Sequence, residues 1–147
     1  MSAEFHGLPC WYELSTSDPD AAQGFYGGLL GWSWASAGMP GMDYRLASVG
    51  GKMVAGMMKG EAGGPPPMWT IYYAAGDIDA TAVAMTADGA TSIVPPTDIP
   101  GTGRFSLLAD PVSASALRRS LCAPGCNCRP HLSSAASSIL VKPVPSL

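Results

Sequence analysis

Charge is scarce in this chain, and histidine is scarcer. Charged residues make up 13% of its 147 positions, too few for a highly charged disordered segment or a nucleic-acid arm. Only His6 and His131 are histidines, and neither stands beside a nucleophile motif, so no Ser-His-Asp arrangement is present. Long apolar runs are missing too. The stretch at 53–58 is broken by Gly56 and falls far short of the roughly 20 residues a spanning helix needs, so no membrane contact is expected. The first six residues lack a basic start and an apolar core, which argues against a signal peptide and makes the cytoplasm the expected compartment. Acidic residues stop at Asp110. Four basic residues against eleven acids leave the first 110 positions at −7, and four bases with no acid leave the remainder at +4. An acidic body without a clustered basic face excludes a phosphate-tracking nucleic-acid binder.

What the chain does have is a segment that occurs twice, about 59 residues apart. Asp18-Pro19-Asp20-Ala21-Ala22 is answered by Asp77-Ile78-Asp79-Ala80-Thr81, Gly31 by Gly89, and the strand pattern at 45–49 by that at 104–108. Each half is too short to bury a core alone, so two modules must share one interior. In the first, residues 8–15 alternate as a strand, with Trp11, Glu13 and Ser15 on one face and Cys10, Tyr12 and Leu14 on the other. A helix follows from the N-cap Asp18 and Pro19 to Gly31, with Ala22, Phe25, Tyr26, Leu29 and Leu30 as an apolar stripe. Strands are expected at 32–37, 44–49 and 52–58, between Gly/Pro turns. Past the Gly63-Gly64-Pro65-Pro66-Pro67 linker the order restarts, with a strand at 68–74, a helix at 78–87 and strands at 91–94 and 103–108. The eighth strand falls on residues 111–119, where small side chains replace bulky β-formers. The second module therefore reads as unfinished.

These features predict an α+β fold of two paired βαβββ modules built around a shared interior, with an atypical last strand. The domain is placed at 1–117, with modules at about 5–60 and 66–117. From 118 to 147 the chain has no acid, no aromatic and three of its four cysteines, and it reads as a loosely packed tail. Cys122, Cys126, Cys128 and His131 supply four zinc-type ligands there, although their spacing matches no usual knuckle. Reduced thiols are expected in a cytoplasmic protein. Gly101-Thr102-Gly103 and Gly50-Gly51 precede no helix and read as hairpin turns, not phosphate loops.

The segment Ser17-Asp18-Pro19-Asp20-Ala21-Ala22-Gln23-Gly24-Phe25-Tyr26, running on to Leu30-Gly31-Trp32, resembles the first-module signature of the glyoxalase/bleomycin-resistance/extradiol-dioxygenase superfamily, also called vicinal oxygen chelate proteins. Residues 76–90 look like its second-module counterpart, and Ala109-Asp110-Pro111 like the turn before its last strand. The similarity covers about 5–112 and is greatest to glyoxalase-like members labelled as hydroxylases. The resemblance implies that the paired βαβββ modules form a curved sheet around a small-molecule cavity. Metal-dependent members take one His, Glu or Gln ligand from each of four strands. Measured from Asp18 and Asp77, those positions fall here on Trp11 and Thr70, and near Met58 and Leu117. None is a usual ligand for a hard cation. No cofactor is therefore expected, with a divalent metal left open.

Glu13 is the candidate catalytic residue, since a carboxylate among aromatics has its charged form disfavoured and can serve as a general acid or base. A cavity-mouth carboxylate paired with Arg45 or Arg104 is the plainer reading. Trp11, Met53, Ala55, Met57, Thr70 and Tyr72 are expected to line a flat apolar pocket, with Arg104 orienting the ligand, although the same alternation would also hold them as core. Trp69, Ile71 and Tyr73 take the opposite face as helix-packing core. The leading expectation is metal-independent binding of a small aromatic or amphipathic molecule, as in sequestration of a toxic compound. The alternatives are a lyase, hydrolase or oxygenase-type enzyme using Glu13, and a non-catalytic interaction subunit whose broken last strand leaves a sheet edge for a partner. A second copy of the chain, as a homodimer, stays open as that partner.

Overall fold

Both helices begin where an aspartate satisfies an otherwise unpaired backbone N–H. The computed structural model describes residues 6–100, 103–112 and 118–122. In it, helix α1 (Pro19–Leu30) starts behind Asp18, whose carboxylate accepts from Ala21 N at 3.0 Å. Helix α2 (Ile78–Ala87) starts behind Asp77, which accepts from Ala80 N at 2.9 Å. Gly31 ends α1 at φ 67°, a left-handed conformation that other residues adopt at a cost. Asp18→Ala or Asp77→Ala is expected to cost about 1 kcal/mol of stability, read as a shift in urea midpoint with unchanged slope.

The strands are β1 (Pro9–Thr16), β2 (Ser33–Ser36), β3 (Tyr44–Val49), β4 (Lys52–Lys59), β5 (Met68–Ala74), β6 (Thr91–Ile99), β7 (Gly103–Ala109) and β8 (Arg118–Cys122). They form one mixed sheet in the order β2-β3-β4-β1-β5-β8-β7-β6. Outward from the centre the two halves repeat each other, β1-β4-β3-β2 against β5-β8-β7-β6, and the antiparallel β1–β5 pair joins them. The α+β fold of paired βαβββ modules is thus the observed one.

The last strand differs from expectation. It lies at Arg118–Cys122, parallel to β5 and antiparallel to β7, in residues assigned from sequence to the tail. The sheet edge expected to be open is filled, and the edges are β2 and β6. Small residues at 111–117 hid the strand, because β-propensity reports packing context more than backbone preference. Strand β6 also runs on through Pro95 and Pro96 to Ile99, past the expected end at 94. An edge strand with register shifts at Ser92/Val94 and Val94/Thr97 tolerates proline.

The helices cover one side of the sheet. Ala75, Ile78, Ala82, Ala90 and Leu108 pack as a buried cluster with α2, joined by Tyr73 and Met85. Beneath α1, Leu14 pairs with Met57, Met57 with Arg45, and Ala55 with Ala47, so all share one face. Arg45 of that face bonds Asp20 and Gln23 of α1 at 2.7 and 2.9 Å. In the second module Arg104, the repeat equivalent of Arg45, pairs with Asp79 of α2 at 2.9 Å. Each arginine also holds a strand-side aspartate, Asp43 or Asp98. The expected apolar stripe of α1 is only partly used: Tyr26 meets Trp32 and Trp69, whereas Phe25 and Leu29 remain over 60% exposed. No helix of the described residues is long and apolar enough to cross a membrane.

Candidate functional site

The face turned away from the helices is polar at its centre and aromatic around it. Strand alternation places Trp11, Glu13 and Ser15 of β1 on this face, and the antiparallel register sets Tyr72 opposite Trp11 and Thr70 opposite Glu13. On the other side of β1, Gly56 stands beside Glu13. The glycine matters because a Cβ there would overlap the Tyr44 hydroxyl and lie 3.2 Å from Trp11 Nε1. Its missing side chain lets Tyr44 reach across β4 from β3.

Both carboxylate oxygens of Glu13 accept from phenols: Tyr44 Oη donates to Oε2 at 2.9 Å, and Tyr72 Oη donates to Oε1 at 3.0 Å. Trp11 Nε1 donates to Tyr44 Oη at 3.3 Å, which extends the network. Glu13 and Tyr72 occupy equivalent positions of the repeat, 59 residues apart, so the site straddles the axis relating the modules. Thr70 is buried, and Trp11, Glu13, Tyr44 and Tyr72 are half-buried. Burial pushes the Glu13 carboxyl above the ordinary range, and the hydrogen bonds from Tyr44 and Tyr72 partly oppose it.

A raised folded-state pKa means that the folded protein holds this proton more firmly than the unfolded chain does. The contribution is fully present below the unfolded value near 4.5 and is lost as pH rises through the folded value. Glu13→Gln is therefore expected to gain stability relative to wild type on moving from pH 4 to pH 7. Paired thermal melts across that range check it, and parallel curves would contradict it.

Several expected site residues lie elsewhere. Met57 and Ala55 are fully buried on the helix-facing side, while Met53 sits 37% exposed at the start of β4. The run at 53–58 is apolar on both faces, so its sequence carries no parity signal. Arg104 is directed to α2 and does not orient a ligand at Glu13. Glu13 is likewise not paired with Arg45 or Arg104, since aspartates on the helix side take both cations. Trp69, expected as helix-packing core, donates to Tyr26 of α1 at 2.9 Å. Tyr44 was missed. Its signal was parity: it precedes the helix-directed Arg45, so it had to face the other way.

The metal positions can be tested against the same register. Met58 stands opposite Ser15, and the equivalent pairing in the second module sets Cys122 opposite Ala74. The repeat equivalent of Met58 is thus Cys122; Leu117, with Cys126, Cys128 and His131, lies outside the described residues. An indole, a thioether and a threonine hydroxyl at the other three positions do not make an oxygen and imidazole set for a hard divalent ion. Among the described residues, no three His, Cys, Asp or Glu side chains group as a metal site.

Two βαβββ modules joined through β1 and β5 into one mixed sheet define the class to which this fold belongs. The chain belongs to the Glyoxalase/Bleomycin resistance protein/Dioxygenase superfamily, whose model matches residues 10–113. It is 39% identical over 109 residues to CFP32 of Mycobacterium tuberculosis, which carries a glyoxylase name, with 74% of this chain and 42% of that one covered. It is 32% identical over 124 residues to the anthracycline biosynthesis protein DnrV of Streptomyces peucetius, covering 74% and 45%. The chain thus spans less than half the length of these curated relatives. Its fold is shared with methylmalonyl-CoA epimerase from Mycobacterium tuberculosis, at TM-score 0.60 and 16% identity over 84% of this chain and 93% of that one. The Mn(II)-bound glyoxalase from Novosphingobium aromaticivorans also shares it, at TM-score 0.57 and 17% identity over 82% and 40%.

Proposed function

We propose that the face carrying Trp11, Glu13, Tyr44, Thr70 and Tyr72 binds a small aromatic or amphipathic molecule without a metal ion. The observation that carries this reading is the hydrogen-bonded network of Trp11, Tyr44, Glu13 and Tyr72, in which Trp11 stands at a position that the resemblance assigns to a metal ligand. Flat side chains offer π faces to a planar ligand, and the fixed carboxylate and hydroxyls give it polar anchors. The relative named for anthracycline biosynthesis supports the planar class, since an anthracycline is a fused-ring aromatic. A thermal-shift screen with planar aromatics in the presence of chelator tests the reading. Stabilisation that persists in chelator is expected, and stabilisation that appears only with added divalent metal would overturn it.

A second reading, an enzyme with Glu13 as acid or base, is favoured by the raised carboxyl held between two phenols. Tyr44 and Tyr72 would then orient the carboxylate. This reading requires turnover that survives chelator and is lost in Glu13→Gln while the protein stays folded.

A further inference from the structure

Helix α2 and the edge strand β6 border a groove on the helix side of the sheet, away from the face of Glu13. Its volume is about 420 Å³, within the roughly 300–1,000 Å³ range of small-molecule sites. Asp79, Val83, Thr86 and Ala87 of α2 form one wall, and Ser92 and Pro96 of β6 form the other. The α2 residues recur at helical spacing and so share one face of the helix.

The internal repeat shows what this groove is shaped to hold. In the first module Trp34 of β2 stands opposite Ala47, a fully buried residue of the helix-facing side. Its ring packs on Trp32 at 5.9 Å, and Trp32 stacks on Tyr26 of α1, also at 5.9 Å. An aromatic tier of Tyr26, Trp32 and Trp34 thus joins α1 to β2. In the second module the repeat spacing turns Tyr26 into Met85, and counting from the helix-ending Gly31 and Gly89 turns Trp32 into Ala90 and Trp34 into Ser92. Counting across the sheet leads to the same place, since Ser106 is the counterpart of Ala47, and Pro95 and Pro96 face it within a register shift. Met85 and Ala90 close the inner end of the tier as part of the buried cluster. The outer ring has no replacement: a serine and a proline stand where the first module keeps an indole, and both line the groove.

The Asp79 end of the groove is acidic. Asp79 and Asp98 share the guanidinium of Arg104, so this clasp holds one carboxylate more than it holds guanidinium. The Asp79 side chain is 62% exposed, and a positive group beside it is favoured.

We propose that the α2–β6 groove is a second binding site, which takes the planar, indole-sized ring of a small molecule carrying a protonated amine. The ring supplies the missing outer member of the aromatic tier and buries apolar surface against Val83 and Ala87. The amine lies at the Asp79 end. This site is independent of the Glu13 face, and neither requires the other.

Tryptamine, protonated at neutral pH, and indole-3-propionate, an anion, carry the same ring and serve as probes. Backbone amide spectra of the nitrogen-15-labelled full chain are expected to show saturable shifts of Val83 and Ala87 with tryptamine, at an affinity about threefold or more above that of indole-3-propionate. Ser92→Trp restores the ring of the first module and should abolish those shifts. Thr97→Trp adds the same ring on the opposite face of β6, where Thr97 pairs with Phe105, and should leave them in place. Both positions are exposed, so both variants should fold. The Trp11 indole reports on the Glu13 face separately. Absence of shifts at Val83 and Ala87, their persistence in Ser92→Trp, or equal affinity for the two probes would overturn the proposal and leave the reading of the Glu13 face untouched. Shifts of Val83 that depend on protein concentration without any probe would assign the groove to a second copy of the chain and overturn it too.

Discussion

Met57→Ala is expected to destabilise the protein by about 2–5 kcal/mol, the range for deleting a fully buried large side chain from a packed core. Met57 is wholly inaccessible, paired across strands with Leu14 and Arg45 beneath α1. Much of the surrounding buried core is alanine, including Ala47 and Ala55, so few long side chains can relax into the void. Against a typical domain stability of roughly 5–15 kcal/mol, this is a large fraction, and a fall in melting temperature of roughly 10 °C should accompany it. Met53→Ala, at a 37% exposed position, should cost far less. The comparison also separates core from pocket. A pocket-lining Met57 would change ligand affinity with little change in stability, and that result would contradict the assigned face.

The second large effect is expected at Gly56. Its φ lies outside the left-handed region, so alanine fits the backbone, but the added Cβ overlaps the Tyr44 hydroxyl. Because that hydroxyl ends a side chain that can swing, the fold should survive while Tyr44 leaves Glu13. A hydrogen bond to a charged group is worth about 1.5–3 kcal/mol, so Gly56→Ala should weaken ligand binding by roughly tenfold or more. Loss of the Tyr44 bond removes a lowering influence on Glu13. Its carboxyl carbon, followed by NMR, should therefore titrate at higher pH than in wild type. An unchanged titration would show that Tyr44 does not hold the carboxylate.

These two positions also mark how far the sequence could be read. The helices were legible because Asp18, Pro19, Gly31 and Asp77 are local signals with fixed offsets. The face of β1 and β5 was legible because Trp11, Glu13, Thr70 and Tyr72 alternate with residues of the other face, and the repeat spacing confirmed their register. Strand β4 was opaque: Val54, Ala55, Gly56, Met57 and Met58 carry no polar alternation, so Met57 and Ala55 were assigned to the wrong side. Arg104 was misplaced for a different reason. Its repeat partner Arg45 already carried the answer, but a helix-side salt bridge is a tertiary fact, set by Asp20 and Asp79. Strand β8 was hidden because Arg118–Cys122 gains its strand character from β5 and β7, which flank it, and not from bulky β-formers of its own. Tyr44 needed two facts at once, its parity against Arg45 and the gap at Gly56.

The metal positions show the same dependence on pairing. A constant repeat of 59 residues leads from Met58 to Leu117, whereas the sheet register leads to Cys122. The second module carries five more residues before its last strand, and only hydrogen-bonded pairing reveals the offset. Neither residue supplies the oxygen or imidazole donor of the metal-dependent pattern.

The central claim is that the Trp11, Tyr44, Glu13 and Tyr72 face holds its ligand without a metal. The most direct measurement follows the tryptophan indole N–H resonances of nitrogen-15-labelled protein, in chelator, during titration with a planar aromatic amine. Trp11 lies on the proposed face, and Trp69, bonded to Tyr26 beneath α1, serves as an internal control on the opposite side. The account predicts that the Trp11 indole signal moves saturably while that of Trp69 stays in place. Movement of Trp69 with Trp11 unchanged, or movement of Trp11 only after a divalent metal is added, would contradict it.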